Sequence, residues 1–373
     1  MRVVGAALCL VVGCGFSPSL VDGGTADMHD GAPMHDVQLA TSDVKLCYGK
    51  GMLEVCFTTQ LPTSYAPNGV AMVDTGTDAN CTVVVTQPSG RDLCVIAAQT
   101  IDIAAGIRAT GSRPLVLIGA SSITIEAAAT VDVASRNGTN TGAGGNDVDC
   151  VAPNTPAGDT GGGGGGAGGS FVGKGGDGAV GNSNGGMSAP GLATPTVTPT
   201  FVRGGCRGGV GGGNSGGSQG KAGASGGGAV YLIAGETLTI AGTIDAGGAG
   251  GQSTIDEQGG PGGGAGGMIG LDAPSIVFTG GLFANGGGGA EGGATGGTGG
   301  GGLAGGDGQR STTNVGAGGA HASQGGAGGD GSVGNMHDGR GGATDFGGGG
   351  GGGGGAGYIY VFGTISGGQV SPS

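Results

Sequence analysis

The sequence predicts an all-β chain: a parallel β-helix (solenoid) with long glycine-rich loops and a small disulfide-bonded N-terminal β cap. Three observations predict it. One phrase recurs along the chain, apolar residues alternate with polar ones inside it, and 105 of the 373 residues are glycine. The phrase is clearest in Ala229–Gly248, AVYLIAGETLTIAGTIDAGG, and returns thirty-eight residues later as Gly267–Gly286, GMIGLDAPSIVFTGGLFANG. That offset sets Val230 on Met268, Ile233 on Leu271, Leu238 on Ile276, Ile240 on Phe278 and Ile244 on Leu282. The phrase also appears as Leu115–Val133 and, clipped, as Tyr358–Gly367. Ile101–Ile103 recurs as Ile123–Ile125, a spacing of 22. Alternation of this kind marks a half-buried strand. A spacing near 22 is the length of three short strands and three turns, one rung of a solenoid. Ile101 should then stack on Ile123 and Ile103 on Ile125.

Composition sets the scale of the core. Aromatic residues are 3% of the chain and Trp is absent, so Val, Ile, Leu and Ala must fill the interior. A thin core repeated along an axis suits that supply. With 14 Pro and no strict three-residue period, the chain is not collagen. Charged residues are 10%, too few for an ordinary solvated disordered chain. A net charge of −13 with 13 scattered Lys and Arg argues against a nucleic-acid partner.

The N-terminus reads as an export signal over residues 1–13: one arginine, a short apolar run, then small residues. The run ends Val11-Val12-Gly13-Cys14, which resembles the lipobox of bacterial lipoproteins, with Val11 where Leu is usual. That resemblance implies cleavage before Cys14, a lipid on its thiol and attachment to a membrane. Gly15 in the following position implies the outer membrane. Residues 14–42 carry no periodicity and read as a flexible tether. Met-His-Asp triplets at 28–30, 34–36 and 336–338 hold soft ligands, but three isolated triplets are read as chance rather than as a copper site.

With Cys9 inside the export signal and Cys14 set aside, six cysteines remain: Cys47, Cys56, Cys81, Cys94, Cys150 and Cys206. An even number in an exported chain implies disulfides, with 15 possible connectivities. The sequence-local pairs Cys47–Cys56 and Cys81–Cys94 are favoured, with Cys150–Cys206 bracketing the first glycine insert. Double CxxC spacing of a zinc site is absent. Residues 43–96 hold four of these cysteines and read as the β cap; residues 97–373 read as the β-helix, with inserts at 136–228, 247–266 and 286–356. The inserts include runs of six (Gly161–Gly166) and nine glycines (Gly347–Gly355). Disorder is the default for such runs, because ordering glycine costs the most backbone entropy. The other reading is packed left-handed extended helices, three residues per turn, touching through hydrogens alone. In either case the inserts are expected to project as loops from one region.

The phrases GGGAVYLIAGETLTIAGTIDAGG and GGAGGMIGLDAPSIVFTGGLFANGG resemble glycine-rich bacterial surface proteins with β-helix rungs, many of them lipoproteins of myxobacteria. The inserts alone are similar in composition to the glycine-rich domains of the mycobacterial PGRS surface family, whose N-terminal domain this chain lacks. The resemblance covers about residues 95–373 and implies a surface-exposed, non-enzymatic protein. It implies no site residues.

Chemistry-bearing motifs are sparse. GxGxxG matches arise by chance in so glycine-rich a chain, and none opens a helix after a strand. Gly168–Lys174 imitates a phosphate loop, but Gly175 stands where Ser or Thr must be. Gly325–Val333 resembles one calcium nonapeptide around Asp330, without the tandem copies that share each ion. Asp102, Asp132 and Asp245, with Arg108, Arg113 and Arg136 near in sequence, are the carboxylates that a polysaccharide-cleaving β-helix would use. A solvated outer face accounts for them more simply. Only 4 His exist, in glycine-rich or tether segments, so no Ser-His-Asp or Cys-His set is assembled. The expectation is an envelope-anchored structural or adhesive protein without catalytic residues, cofactor or metal. Its partners would be the membrane through the lipid, and matrix, polysaccharide or neighbouring cells. A polysaccharide-binding or polysaccharide-degrading enzyme is the alternative, and ice binding ranks last.

Overall fold

The computed structural model describes residues 45–373 apart from 139–140, 159–161, 184–185, 215–218, 296–300 and 323. The signal segment, the tether, Cys14 and the first two Met-His-Asp triplets lie outside the described residues.

Strands come in chain order as β1 (Leu46–Tyr48), β2 (Val55–Phe57), β3 (Ser64–Tyr65), β4 (Ala71–Asp74), β5 (Val83–Val85), β6 (Leu93–Ile103), β7 (Gly106–Thr110), β8 (Leu115–Ile125) and β9 (Thr130–Asp132). After a long glycine-rich stretch with the small hairpin β10 (Gly181–Ser183) and β11 (Gly186–Ser188) come β12 (Ala229–Ala234), β13 (Thr237–Ile240) and β14 (Thr243–Asp245). The next copy of the phrase supplies β15 (Met268–Asp272), β16 (Ser275–Phe278) and β17 (Gly281–Phe283), and the last supplies β18 (Tyr358–Phe362) and β19 (Gln369–Ser371). One sheet of nine strands runs β16-β13-β8-β12-β15-β18, with β6 on β8 and both β3 and β5 on β6. A second sheet of six runs β19-β17-β14-β9-β7-β4. Apart from β5, every pairing in both sheets is parallel.

The phrase stacks in ladders. Ile101 lies over Ile123 and Ile103 over Ile125, continuing to Leu238 and Ile240 and then to Ile276 and Phe278. In the second sheet Ile107, Val131, Ile244 and Leu282 form the matching column. These two sets face each other and make the main core. β-Branched side chains suit it because each fills a pleated, narrow interior with one preferred rotamer. A second apolar cluster covers the other face of the larger sheet, where Val116, Ile118, Tyr231 and Met268 pack against Val55, Phe57, Phe171 and Val202. There the β1–β2 loop is pinned by polar contacts: the backbone N–H groups of Lys50 and Gly51 donate to the Asp272 carboxylate at 2.7 Å each, and that of Met52 to the Tyr231 hydroxyl at 3.1 Å. Disulfides close Cys47–Cys56, Cys81–Cys94 and Cys150–Cys206. Residues 46–85 do not stand apart as a cap over the end of a coil, since β3, β4 and β5 are members of the two sheets.

Two expectations are corrected. The gapless repeat register fails at its first element: Val230 pairs with Ile269 and Ile233 with Asp272, one residue beyond the expected partners. Leu238, Ile240 and Ile244 pair as the repeat predicts. β15 is one residue shorter than β12 at its end, and the turn after it absorbs the slip. The larger correction is that no closed β-helix forms among the described residues. Where a coil would need its third side, after Asp132, Asp245 and Phe283, the chain enters glycine-rich segments, which have few side chains to build a third sheet.

Nor are those segments projecting loops. They form a packed body of extended segments cross-linked by backbone hydrogen bonds. Gly163, Gly166 and Gly169 donate to Glu257, Gly260 and Gly263; Gly260, Gly263 and Gly266 donate to Gly349, Gly352 and Gly355; and those three donate back to Gly163, Gly166 and Gly169. The recurrence is every third residue, the repeat of a left-handed extended helix. Segment 257–267 shows the consequence. Its N–H groups at 259, 262 and 265 reach one neighbour (206–212), those at 260, 263 and 266 a second (349–355), and those at 264 and 267 a third (246–249). Its carbonyls accept from three more, 163–169, 287–293 and 224–227. Six neighbours leave no side open, and the segment is buried throughout.

Contacts this close exclude even a methyl group. A Cβ on Gly353 would overlap the carbonyl oxygen of Asp330, whereas one on Gly341 meets only the Asp177 oxygen, at 3.3 Å. We expect Gly353→Ala to destabilise the protein by more than about 3 kcal/mol, the upper range of overpacking, and Gly341→Ala by less than about 0.5 kcal/mol. Denaturant midpoints of the two variants check this; equal midpoints would contradict the packed array.

Candidate functional site

Three of the carboxylate and arginine candidates meet in one row of the smaller sheet. The parallel register aligns Arg108 of β7 with Asp132 of β9, and Asp132 with Asp245 of β14. All three side chains leave the sheet on the face opposite the Ile107–Val131–Ile244 column, because successive residues of a strand point to opposite sides. Arg108 donates to Asp132 at 2.6 Å. Arg136, four residues past Asp132, reaches it at 2.6 Å and Asp245 at 3.4 Å. Arg310 arrives from the glycine body and bridges both carboxylates, at 2.7 Å to Asp245 and 3.1 Å to Asp132. Backbone N–H groups complete the set: Ala134 donates to Asp132 and Gly247 to Asp245. Each of the four carboxylate oxygens therefore accepts at least one hydrogen bond.

Asp245 is buried and Asp132 nearly so, while Arg310 is 40% exposed. Burial pushes the Asp245 carboxyl above its usual range, and the Arg310 guanidinium beside it pulls it back. The arrangement holds two stacked carboxylates in register and ties the sheet to the glycine body through Arg310. Asp102 lies elsewhere: it is exposed on β6 of the larger sheet, opposite Thr124. Arg113 also stays out, pairing with Asp78 at 2.7 Å. Arg310 was not among the residues singled out from the sequence. Its signal is scarcity, since it and Arg340 are the sole Lys or Arg residues after Lys221.

A second charged pair is fully enclosed. Arg203 reaches Asp147 at 3.3 Å, both side chains being 2% exposed or less. Its guanidinium lies 5.4 Å from the centre of the Phe171 ring and 5.6 Å from that of Phe201, and 3.2 Å from the Cys150 sulfur. Burial raises the Asp147 carboxyl above its usual range.

The remaining motif candidates are absorbed by the backbone of the glycine body. Asp330 accepts from the Gly318 N–H at 2.9 Å and from Arg340 at 3.4 Å. Asp307 accepts from Asn137 and Gly250, and Asp177 from Ala193. In the third Met-His-Asp triplet, Asp338 accepts from the Lys174 N–H and the His337 ring contacts the Ser373 carbonyl. Among the described residues no group of three or more His, Cys, Asp or Glu side chains is placed to hold a metal ion, and no helix is long and apolar enough to cross a membrane. Comparison of the chain with protein-family models, with curated proteins and with solved structures gives no match.

The arginine–carboxylate row yields a pH prediction. Asp245 binds its proton more readily folded than unfolded, so its ionisation removes stability as pH rises above the ordinary carboxylate value; Arg310 offsets that loss. Arg310→Met should therefore cost about 1–2 kcal/mol at pH 7, less than a fully buried pair because Arg310 is 40% exposed. The deficit should shrink on acidification and vanish well below pH ~4, where the carboxyl is protonated in both states. Melting temperatures of the two proteins from pH 3 to 7 check it; a deficit independent of pH would contradict the assignment.

Proposed function

We propose that the protein is an envelope-anchored surface protein with a structural or adhesive role, held to the membrane through a lipid on Cys14. The observation that carries this reading is the glycine body. It is rigid because its backbone donors and acceptors are paired between segments every third residue. It offers little side-chain chemistry because most of its glycines leave no room for a Cβ. Such a body suits a durable support better than a catalyst, which needs groups free to exchange protons or bonds. The candidate carboxylates Asp132 and Asp245 are instead engaged on every oxygen, by arginines or by backbone N–H groups. Three disulfides fit an exported address, where thiols are oxidised. The resemblance to glycine-rich bacterial surface lipoproteins points the same way.

The test is metabolic labelling with a palmitate analogue in a Gram-negative host expressing the full chain, beside Cys14→Ala. The native chain should carry the label, fractionate with membranes and resist alkylation at all six remaining cysteines until reduced. Cys14→Ala should lose the label and the membrane fraction together. An unlabelled, soluble chain with free thiols would overturn the reading.

A further inference from the structure

A cleft opens where the sheets meet the glycine body. It has two lobes, of about 500 Å³ and about 330 Å³, which share Asn146 and Arg207 as lining residues. Both volumes lie in the range of small-ligand sites. Asn146 creates the junction by adopting a left-handed backbone, φ 55°. Its side chain is committed to Gly226 and Ser225, so the bend is held in place.

The two cations of the cleft are not consumed by carboxylates. Arg207 is exposed and its guanidinium has no hydrogen bond or ion pair among the described residues. Arg91 donates from one terminal nitrogen to the Asn146 carbonyl at 3.2 Å, and its Nε is buried with no partner. Of the acidic groups that line the cleft, Asp147 is paired with Arg203. Asp74 is oriented by the Gly76 N–H and the Thr77 hydroxyl. The chain as a whole carries −13, but at physiological salt charges act over only about 8 Å, so a ligand in the cleft responds to these side chains first.

We propose that this cleft binds an acidic oligosaccharide containing uronic acid residues. The chemistry divides between the lobes. A ring carboxylate matches the planar donor fork of Arg207, with the half-buried Arg91 lining the same lobe and adding positive charge. Ring hydroxyls match Asp74, Thr110 and Ser112 in the larger lobe. In the smaller lobe the exposed side chains of Val151 and Val210 offer apolar surface for the C–H face of a sugar. Asp74 repels a densely charged anion while accepting from hydroxyls, which selects a carboxylated sugar over a phosphate. This deepens the adhesive reading by naming the class of polymer that such a surface would hold.

Titration calorimetry of the full-length chain in detergent with tetragalacturonate, beside maltotetraose and inorganic phosphate, tests it. Tetragalacturonate should bind, and more weakly as salt rises. Arg207→Gln should raise Kd about tenfold, the loss of one charge-assisted contact, and Arg207→Lys should recover part of it. Because Arg207 is exposed, both variants should melt with the native protein. No binding of tetragalacturonate, equal binding of maltotetraose, competition by phosphate at similar concentration, or an unchanged Kd in Arg207→Gln would each overturn the inference. A chain that is lipid-labelled on Cys14 yet binds no uronate sinks this inference alone and leaves the surface assignment standing.

Discussion

Backbone hydrogen bonding between extended glycine segments is the constraint on which the rest of the structure depends. Ordering glycine costs more conformational entropy than ordering any other residue. A single backbone hydrogen bond returns only about 1 kcal/mol net. The segments resolve this by density. Around 257–267 each successive N–H serves a different neighbour and the carbonyls serve three more, so nearly every donor and acceptor is used away from water. That arrangement is available only to residues without side chains on the contacting faces. The nine glycines Gly347–Gly355 span roughly 28 Å at three residues per turn, and they bond to neighbours on all sides. The length of the glycine run therefore follows from position: the more enclosed the segment, the fewer residues it can spare for anything larger.

The sheets and the glycine body stabilise each other. The parallel strands leave backbone groups open at their ends, and the chain carries hydrogen bonding across that boundary without a break. Gly228 donates to Val133, Val133 to Asp245, and Ala246 to Phe283, so the ladders run on into the glycine segments. In return the apolar ladders supply what glycine cannot, burial of large side chains between the sheets. Arg310 adds a charged tie between the two regions, and the Cys150–Cys206 bridge shortens the unfolded chain across 56 residues of the glycine-rich stretch.

Strand pairing was legible in the sequence because it rests on side chains. Ile101, Ile123, Leu238 and Ile276 announce themselves by alternation and spacing, and they stack as that spacing implies. The slip of Val230 onto Ile269 was not legible, since a shorter strand and its turn hide one missing residue inside an apparently intact repeat. The glycine body was legible only as a choice between disorder and packed extended helices. Composition alone cannot separate those states, because the deciding interactions are between backbones distant in sequence. The expected β-helix failed for the same reason: periodicity revealed the strands of two sides of each repeat, and the third side has few side chains through which to be read. Asp132 and Asp245 were found from their matching phrases, whereas Arg310, isolated among glycines, carried no pattern beyond its rarity.

That division of labour also decides where chemistry can sit. At most glycines of the glycine body a side chain would collide with a neighbouring carbonyl, and inside the sheets the inward positions are needed for the apolar ladders. Reactive or binding groups are therefore driven to the seams where one kind of packing gives way to the other. The charged clusters obey this rule. Arg310 meets Asp132 and Asp245 at the C-terminal ends of the two middle strands of the smaller sheet, and Arg203 meets Asp147 beside the disulfide that closes the first glycine stretch. Arg207 follows one residue after Cys206 and is left unengaged at the cleft that the bend at Asn146 opens. Of these seams, only the last combines open volume with uncommitted charge, which is why the binding proposal rests there and not on the better-ordered carboxylate pair.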